Sequence, residues 1–370
     1  MQEERKKILQ MVKNGELTID EAEKLLEELE KIHRRKEKIE KVIAKEISPD
    51  VDFEDERDYK KGKEETIFGD KMESTKEKLF GFIESALNKL KEMDLDFHHS
   101  VDVSQTLQKS FNEFETIYVE IPNGSLHLMP WDHTDIRVEC NARVYREESI
   151  EEGKKRLLKE LDFDVRNNRL LLCCNEKFLR LHAKMYIPKQ TLEKVQVKLF
   201  NGPITIENLD VGTMDVKTMN GKIEMNRCKA EKGEVETANG TISVFEGNFR
   251  ELEVETVSGR LDVSGIFEKL DASTLSGAVY VSVKNEDADT IRTASATGNI
   301  YIQVPEDVAA IGEVKSNLGH VEVKLPNLRM MEEKSEIIQK LLKFEKEGTI
   351  GKKMYIFADT KTGSVSVRSL

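Results

Sequence analysis

Two sets of residues have types and spacings that could support chemistry. One is a row of carboxylates that recur every 18 or 19 residues: Asp215, Glu234, Glu253 and Asp271. Carboxylates gathered in this way could act as acid and base in cleaving a glycosidic bond. Because lysines interleave with them, we expect a solubilising row and no catalytic residues. The other set is Tyr280 and Tyr301, whose rings could stack on a sugar or a peptide, or on each other.

Cysteine and histidine patterns give no sign of a metal or redox centre. The four cysteines, Cys140, Cys173, Cys174 and Cys228, contain no CxxC pair, and the seven histidines show no zinc-ligand spacing. Neighbours in a strand point to opposite faces, so Cys173 and Cys174 are not expected to pair with each other. No nucleotide-binding loop or nucleophile elbow occurs either. We therefore expect no metal, no cofactor and a reduced, intracellular setting.

Charge and hydropathy limit the classes of partner. The chain has 370 residues, of which 35% are charged, and a formal net charge of −12. This balance disfavours binding to nucleic acid or to an anionic membrane surface. The sequence has neither a secretory signal pattern nor an apolar run long enough for a membrane span. A protein that is cytoplasmic or peripheral at the membrane is predicted, with protein partners and no small-molecule substrate.

A glycine period predicts how these residues are positioned. The repeats "DVKTMNGKIEM", "EVETANGTISV" and "EVETVSGRLDV" are part of a series that recurs every 18 to 21 residues. The series is marked by Gly202, Gly221, Gly240, Gly259, Gly277, Gly298 and Gly319, and Gly363 resembles one more rung after an insertion. Such a period predicts a mainly β fold, a single-stranded β-helix or solenoid.

Alignment on the glycines separates inward from outward positions. Apolar residues stand two and four positions after each glycine, and they are expected to form the core. The position between them faces water: Thr205, Glu224, Ser243, Asp262, Tyr280, Tyr301 and Glu322. A hydroxyl three residues before most glycines predicts a ladder of side chains that bond one another. We also expect the Asn-Gly corners to need positive φ, and Asn123-Gly124 to form a hairpin or tight turn.

The rest of the chain predicts helices and a linker. Residues 1–47 have the pattern of a helical hairpin, and residues 48–110 have the pattern of an acidic linker with an amphipathic helix. Residues 111–370 are predicted to form the solenoid. A helical insertion is predicted at 328–346, where it could cap the solenoid, and another helix from about Ser149 to Leu161. The hairpin buries little apolar area, so its apolar face, Leu25, Leu26 and Leu29 included, must self-associate, pack on the chain or dock a partner.

Both ends of the chain resemble one bacterial family. The stretch "ILQMVKNGELTIDEAEKLLEEL" is similar to the short SHOCT-like helical domain of YvlB and LiaX-like proteins, and "VETANGTISV" resembles their adhesin-like β-solenoid. The resemblance implies a Gram-positive, Bacillus-type protein of the cell-envelope stress response. It would work as a sensor or regulator through membrane-bound partners, without enzymatic activity.

The sequence is compatible with three functions. The first is a non-enzymatic regulator or scaffold of the envelope stress response that acts through protein contacts. The second is an adhesin-like binder of envelope glycans or cationic antimicrobial peptides, whose attraction to an acidic protein would weaken in salt. The third is a carbohydrate-active β-helix enzyme, which would require acids clustered in one exposed groove. The sequence favours the first.

Overall fold

The fold was analysed in a computed structural model, which describes residues 99–110, 113–176, 178–335, 339–348 and 352–370. The predicted N-terminal hairpin, the acidic linker and its amphipathic helix lie outside the described residues. So do Leu25, Leu26 and Leu29. The predicted solenoid is covered almost throughout.

The described residues form 22 strands and one helix. The N-terminal part contains β1 (Ser100–Lys109), β2 (Thr116–Trp131), β3 (Ile136–Tyr145), α1 (Ile150–Glu160), β4 (Leu161–Arg166), β5 (Arg169–Cys174) and β6 (Leu179–Pro188). The middle contains β7 (Thr191–Asn201), β8 (Ile204–Glu207), β9 (Asp210–Asn220), β10 (Ile223–Asn226), β11 (Lys229–Asn239), β12 (Ile242–Ser258), β13 (Leu261–Ser276), β14 (Val279–Val283), β15 (Thr290–Thr297) and β16 (Ile300–Val304). The C-terminal part contains β17 (Ala309–Ser316), β18 (Val321–Lys324), β19 (Leu328–Ser335), β20 (Lys340–Lys346), β21 (Lys353–Thr362) and β22 (Val365–Ser369).

Each repeat is one rung, made of a longer stretch of strand, a corner glycine and a shorter stretch. Rungs stack in parallel and in register, as where Val235 of β11 pairs with Val216 of β9 and with Val254 of β12. The predicted inward columns are confirmed: Ile223, Ile242 and their equivalents are fully buried on every rung up to the one at Gly298. One continuous apolar core therefore runs along the stack, as expected of a solenoid.

Close stacking explains the corner glycines better than positive φ does. A Cβ on Gly240 would lie 1.9 Å from the carbonyl oxygen of Gly221 on the rung before, and Gly240 has no left-handed φ. Positive φ is confined to some corners, such as Gly202 at +133°. The asparagines are not left-handed either. Instead their amides form a ladder, in which Asn220 donates to Asn201 at 2.9 Å and Asn239 donates to Asn220 at 3.0 Å.

The hydroxyl column is buried, but its members do not bond one another as predicted. Each hydroxyl donates to the carbonyl oxygen of the corner glycine on the preceding rung. Thr237 Oγ1, for example, lies 3.1 Å from the Gly221 oxygen, and Ser295 Oγ lies 3.0 Å from the Gly277 oxygen. Thr237 is fully buried, so its hydroxyl needs a partner within the protein, and the corner carbonyl supplies it.

The order of rungs in space departs from their order in the sequence at both ends. Gly363 follows Gly319 in the sequence, yet β21 pairs in parallel with both β15 and β17, and β22 with both β16 and β18. The last rung is therefore inserted between two earlier ones. At the other end β2 lies between β5–β6 and β7–β8. It passes through the Asn123-Gly124 corner as one strand, not as a hairpin.

The ends of the stack are covered by antiparallel strands and one helix. β3 pairs with β6 and β1 with β3, so a strand begins before the predicted solenoid start at residue 111. The predicted helix near Ser149 is confirmed as α1, which Ser149 caps by accepting the amide of Glu152 at 3.2 Å. The helix predicted at 328–346 is wrong. β19 and β20 form an antiparallel pair, because β20 satisfies the outer edge of β17.

Candidate binding site

The carboxylate row lies on the outward side of the longer strands. Asp215, Glu234, Glu253 and Asp271 occupy one register position on consecutive rungs. Two residues further along each strand, Lys217, Glu236 and Glu255 form a second column. The Lys217 Nζ lies 2.8 Å from Glu234, 3.2 Å from Glu236 and 3.6 Å from Asp215. Lys217 thus bridges the first two carboxylates of the row, Asp215 and Glu234, to Glu236 in the second column.

Burial sets the protonation of this cluster. Glu236 and Glu255 are each only 3% exposed. Burial, with a smaller contribution from the Glu234 carboxylate, raises the pKa of Glu236 to about 7. Burial alone would lower the pKa of Lys217, but the hydrogen bond to Glu234 and the charges of Glu236 and Asp215 raise it instead. A substrate could not reach the two buried carboxylates as the cluster stands.

The opposite, shorter strands carry a groove on their outward side, with a volume of about 490 Å³. It extends over β12, β13, β14, β16 and β22. Its lining includes Phe245, Arg260, Asp262, Ser264, Tyr280, Ser282, Tyr301, Gln303, Ser366 and Arg368. The volume falls within the range of small-ligand sites in proteins.

Stacked rings form one wall of the groove. The Tyr280 and Tyr301 rings lie 4.8 Å apart between centroids, with 15° between their planes, because consecutive rungs hold them at the strand spacing. The guanidinium of Arg260 covers the Tyr280 ring at 4.2 Å. Asp262 holds this guanidinium at 2.6 Å and raises its pKa. The predicted contact between the two tyrosines is therefore present, within a larger Arg–Tyr–Tyr stack.

Small side chains form the floor of the groove. Ser264 and Ser282 are neighbours in register on β13 and β14, and Gln303 follows on β16. Phe245 lies at one end with 55% of its surface exposed, and Arg368 lies at the other end. Arg368 is paired with Glu322 at 2.8 Å. The groove is thus bounded by rings and by ion-paired arginines.

Of the predicted partner-binding residues, the structure places only Tyr280 and Tyr301 in the groove. Phe245, Ser264, Ser282, Gln303 and Arg368 were not singled out from the sequence. They share a signal, since each stands five residues after a corner glycine, in a second outward column of the same alignment. Arg260 does not belong to this column, and no sequence pattern predicted its position in the groove.

The described ranges show no features of a metal site or of a membrane-spanning helix. No set of three or more His, Cys, Asp or Glu side chains is placed there to hold a metal ion. All four cysteines are free, and burial raises the pKa of Cys140 to about 12. No helix among the described residues has the length and apolar character needed to cross a membrane.

Comparison with known proteins gives matches to both parts of the chain. The profile described as Toastrack DUF4097 matches residues 172–366, and the one described as a SHOCT-like domain matches residues 3–32. The uncharacterized protein YvlB of Bacillus subtilis is 40% identical over 370 residues, which is all of this chain and 99% of that protein.

Two candidate adhesins are among the solved structures that align with this chain. The one from Bacteroides fragilis gives a TM-score of 0.42 at 13% identity and covers 72% of this chain and 97% of that one. The one from Parabacteroides merdae gives 0.38 at 11% identity, with 73% and 100% covered. Likenesses this distant carry no conclusion about function.

Proposed function

We propose that this chain, which belongs to the Toastrack DUF4097 family, is a non-catalytic binding protein that acts as a regulator or scaffold in the bacterial cell-envelope stress response. The groove beside Tyr280 and Tyr301 is the observation that carries the binding role. The stress-response role is proposed from the resemblance to YvlB and LiaX-like proteins alone. A concave surface with an aromatic wall and arginines at its rim has the composition of a recognition site. In this proposal the protein acts in the cytoplasm or at the periphery of the membrane.

The carboxylates support a binding role over a catalytic one. Only one carboxylate, Asp262, lines the groove, and it is ion-paired with Arg260 at 2.6 Å. Hydrolysis of a glycosidic bond generally requires two carboxyl groups on either side of the bond. The acidic row on the longer strands has several half-buried carboxylates, but two of them, Asp215 and Glu234, are ion-paired with Lys217, and the adjacent Glu236 and Glu255 are buried. The enzyme hypothesis therefore has the weakest support of the three.

A division of labour follows from the two parts of the chain. We assign ligand recognition to the groove and contact with membrane-bound stress-response proteins to the SHOCT-like region at residues 3–32. Leu25, Leu26 and Leu29 remain the proposed contact residues of that region. Self-association of the same residues is the competing use, and either use would cover their apolar surface.

A second candidate function is an adhesin-like binder of envelope glycans or cationic antimicrobial peptides. The aromatic wall of the groove favours the glycan form of this hypothesis, since sugar rings pack their C–H faces on aromatic rings. Cationic peptides would be drawn to the acidic row instead, and that attraction would weaken as salt is raised.

The test is site-specific photocrosslinking in envelope-stressed Gram-positive cells. A photoreactive phenylalanine analogue replaces Tyr301 in the groove, or Thr205 on the same outward column but outside the groove. The full chain is compared with a chain that lacks residues 1–32. We expect crosslinks from position 301 that are absent from position 205, and membrane stress-response proteins that are recovered only with residues 1–32 present. Equal crosslinking from both positions would refute the groove as the recognition surface.

A further inference from the structure

The charges of the groove are already balanced by the protein itself. Arg260 is paired with Asp262 at 2.6 Å, and Arg368 is paired with Glu322 at 2.8 Å. Glu322 also contacts Lys324, and these two cations lower its pKa. A charged ligand would therefore gain little from the field of this surface, and it would have to compete with an existing partner for each arginine. The surface suits a neutral ligand.

The groove also carries neutral hydrogen-bonding groups that are not in use. Among the described residues, the hydroxyls of Ser264, Ser282 and Tyr280 and the amide of Gln303 have no hydrogen-bond partner within the protein, and all four side chains reach the surface. Ser264, Ser282 and Gln303 occupy one register position on three consecutive rungs. Strands are spaced by about 4.8 Å, so these groups form an evenly spaced row along the solenoid. A hydroxyl both donates and accepts, and the row matches a chain that carries hydroxyls of its own.

The strands beneath the groove do not offer their backbone to a peptide. β14 is paired with β13 on one side and β16 on the other, and β16 is paired with β14 and β22. An extended peptide gains much of its affinity by adding to a free strand edge, and the centre of the groove has none. A peptide would have only side-chain contacts here, so the surface favours a ligand that needs no backbone partner.

From these observations we infer that the groove binds a neutral oligosaccharide that lies along the solenoid axis over Ser264 and Ser282. The sugar hydroxyls would bond the serines and Gln303. The C–H faces would pack on the exposed ring of Phe245 and contact the edge of the Tyr280–Tyr301 stack, because Tyr301 and Arg260 already cover the Tyr280 ring. The inference rests on the proposed function, since it names the class of ligand for the same groove.

Calorimetric titration of the full chain with two neutral probes, chitotetraose and cellotetraose, tests the assignment. Ser282→Tyr fills the floor of the groove, and Thr205→Tyr adds the same ring to an outward position outside it. We expect at least one tetrasaccharide to bind with a sub-millimolar Kd, Ser282→Tyr to weaken it by about tenfold or more, and Thr205→Tyr to leave it unchanged. Far-UV circular dichroism of both variants shows whether the rungs remain folded.

Salt and crosslinking separate the failure of the ligand class from the failure of the site. Binding of a neutral sugar should hold when NaCl is raised from about 0.05 M to about 0.5 M. If neither tetrasaccharide binds, or if Ser282→Tyr binds as well as the parent, the saccharide assignment is overturned. Should position 301 then still crosslink to a protein, the groove remains a binding surface with a different ligand. If titration and crosslinking both fail, the proposed function falls as well.

Discussion

Replacing Gly240 by alanine tests whether backbone contact between rungs dictates the corner glycines. The added Cβ would lie 1.9 Å from the oxygen and 2.6 Å from the carbon of the Gly221 carbonyl, both backbone atoms. Gly240 does not have a left-handed φ, so alanine introduces no backbone strain of its own. The substitution therefore isolates the stacking contact. Ordinary contact begins above about 3 Å, so the two rungs must separate locally by about 1 Å.

The magnitude follows from the hydrogen bonds that cross this junction. The Gly221 amide donates to Asn239 at 3.0 Å, the Ile223 amide donates to Thr241 at 3.0 Å, and the Thr237 hydroxyl donates to Gly221 at 3.1 Å. A buried hydrogen bond that is broken costs about 1–2 kcal/mol. Three such bonds give a loss of about 3–6 kcal/mol, which the lower entropy of the unfolded alanine chain offsets by about 0.5–1 kcal/mol. We expect a net destabilisation of about 2–5 kcal/mol.

Urea unfolding followed by far-UV circular dichroism measures this loss, and amide hydrogen exchange at Gly221 and Ile223 shows whether the junction opens. Gly233→Ala on β11 is the matched control, because its Cβ would meet side-chain atoms of Leu252 and Phe249, which can move more readily than a backbone. Gly240→Ala should be the more destabilising of the two. A loss below about 1 kcal/mol, or one no larger than that of Gly233→Ala, would refute the stacking argument.

Three further predictions concern the core and the ends of the stack. The pKa of Glu236 rises from 4.5 to about 7 on folding, so stability should fall as pH rises across that window. Glu236→Gln should flatten the slope and stabilise the protein at pH 8 by about 1–3 kcal/mol, whereas an unchanged slope in melts across pH would contradict the assignment. Thr237→Val should cost about 1–2 kcal/mol in urea unfolding, because the Gly221 carbonyl loses its buried donor, and Thr205→Val should cost little. Deleting residues 353–370 should leave β15 and β17 about 9.6 Å apart with no strand between them. The C-terminal rungs should then be cleaved more readily in limited proteolysis. Protection from cleavage equal to that of the parent protein would count against the inserted rung.

Periodicity made the cross-section of the solenoid predictable. Inward and outward positions follow from the alternation of a strand, so the core columns and the outward-facing tyrosines could be predicted from the glycine alignment. The reason for each glycine could not, because a sequence does not show how closely two backbones approach. The same limit applies to the hydroxyls, whose carbonyl partners belong to the neighbouring rung.

The arrangement along the stack was less accessible from the sequence. The insertion before Gly363 gives no indication of which edge the final rung will join, so its position between two earlier rungs was missed. At 328–346 the spacing of Leu341, Leu342 and Phe344 fits a helix, but an open edge at β17 offers β20 a full ladder of backbone hydrogen bonds. Tertiary pairing therefore overrides local spacing. Only the tyrosine side of the groove was predicted, because the outward column of Tyr280 and Tyr301 was considered and the second outward column of Ser264, Ser282 and Gln303 was not.

The inserted C-terminal rung has a consequence for how the protein is made. Residues 309–324 leave the ribosome before residues 353–369, yet in the finished stack they lie beyond them. A solenoid can in principle grow rung by rung during synthesis, but this one must keep a place open for strands not yet translated. Until those strands arrive, the edges of β15 and β16 remain available to any other extended chain. A chaperone, or a strand from a neighbouring copy, therefore has the best access to these open strand edges in the interval between the translation of residue 324 and that of residue 369.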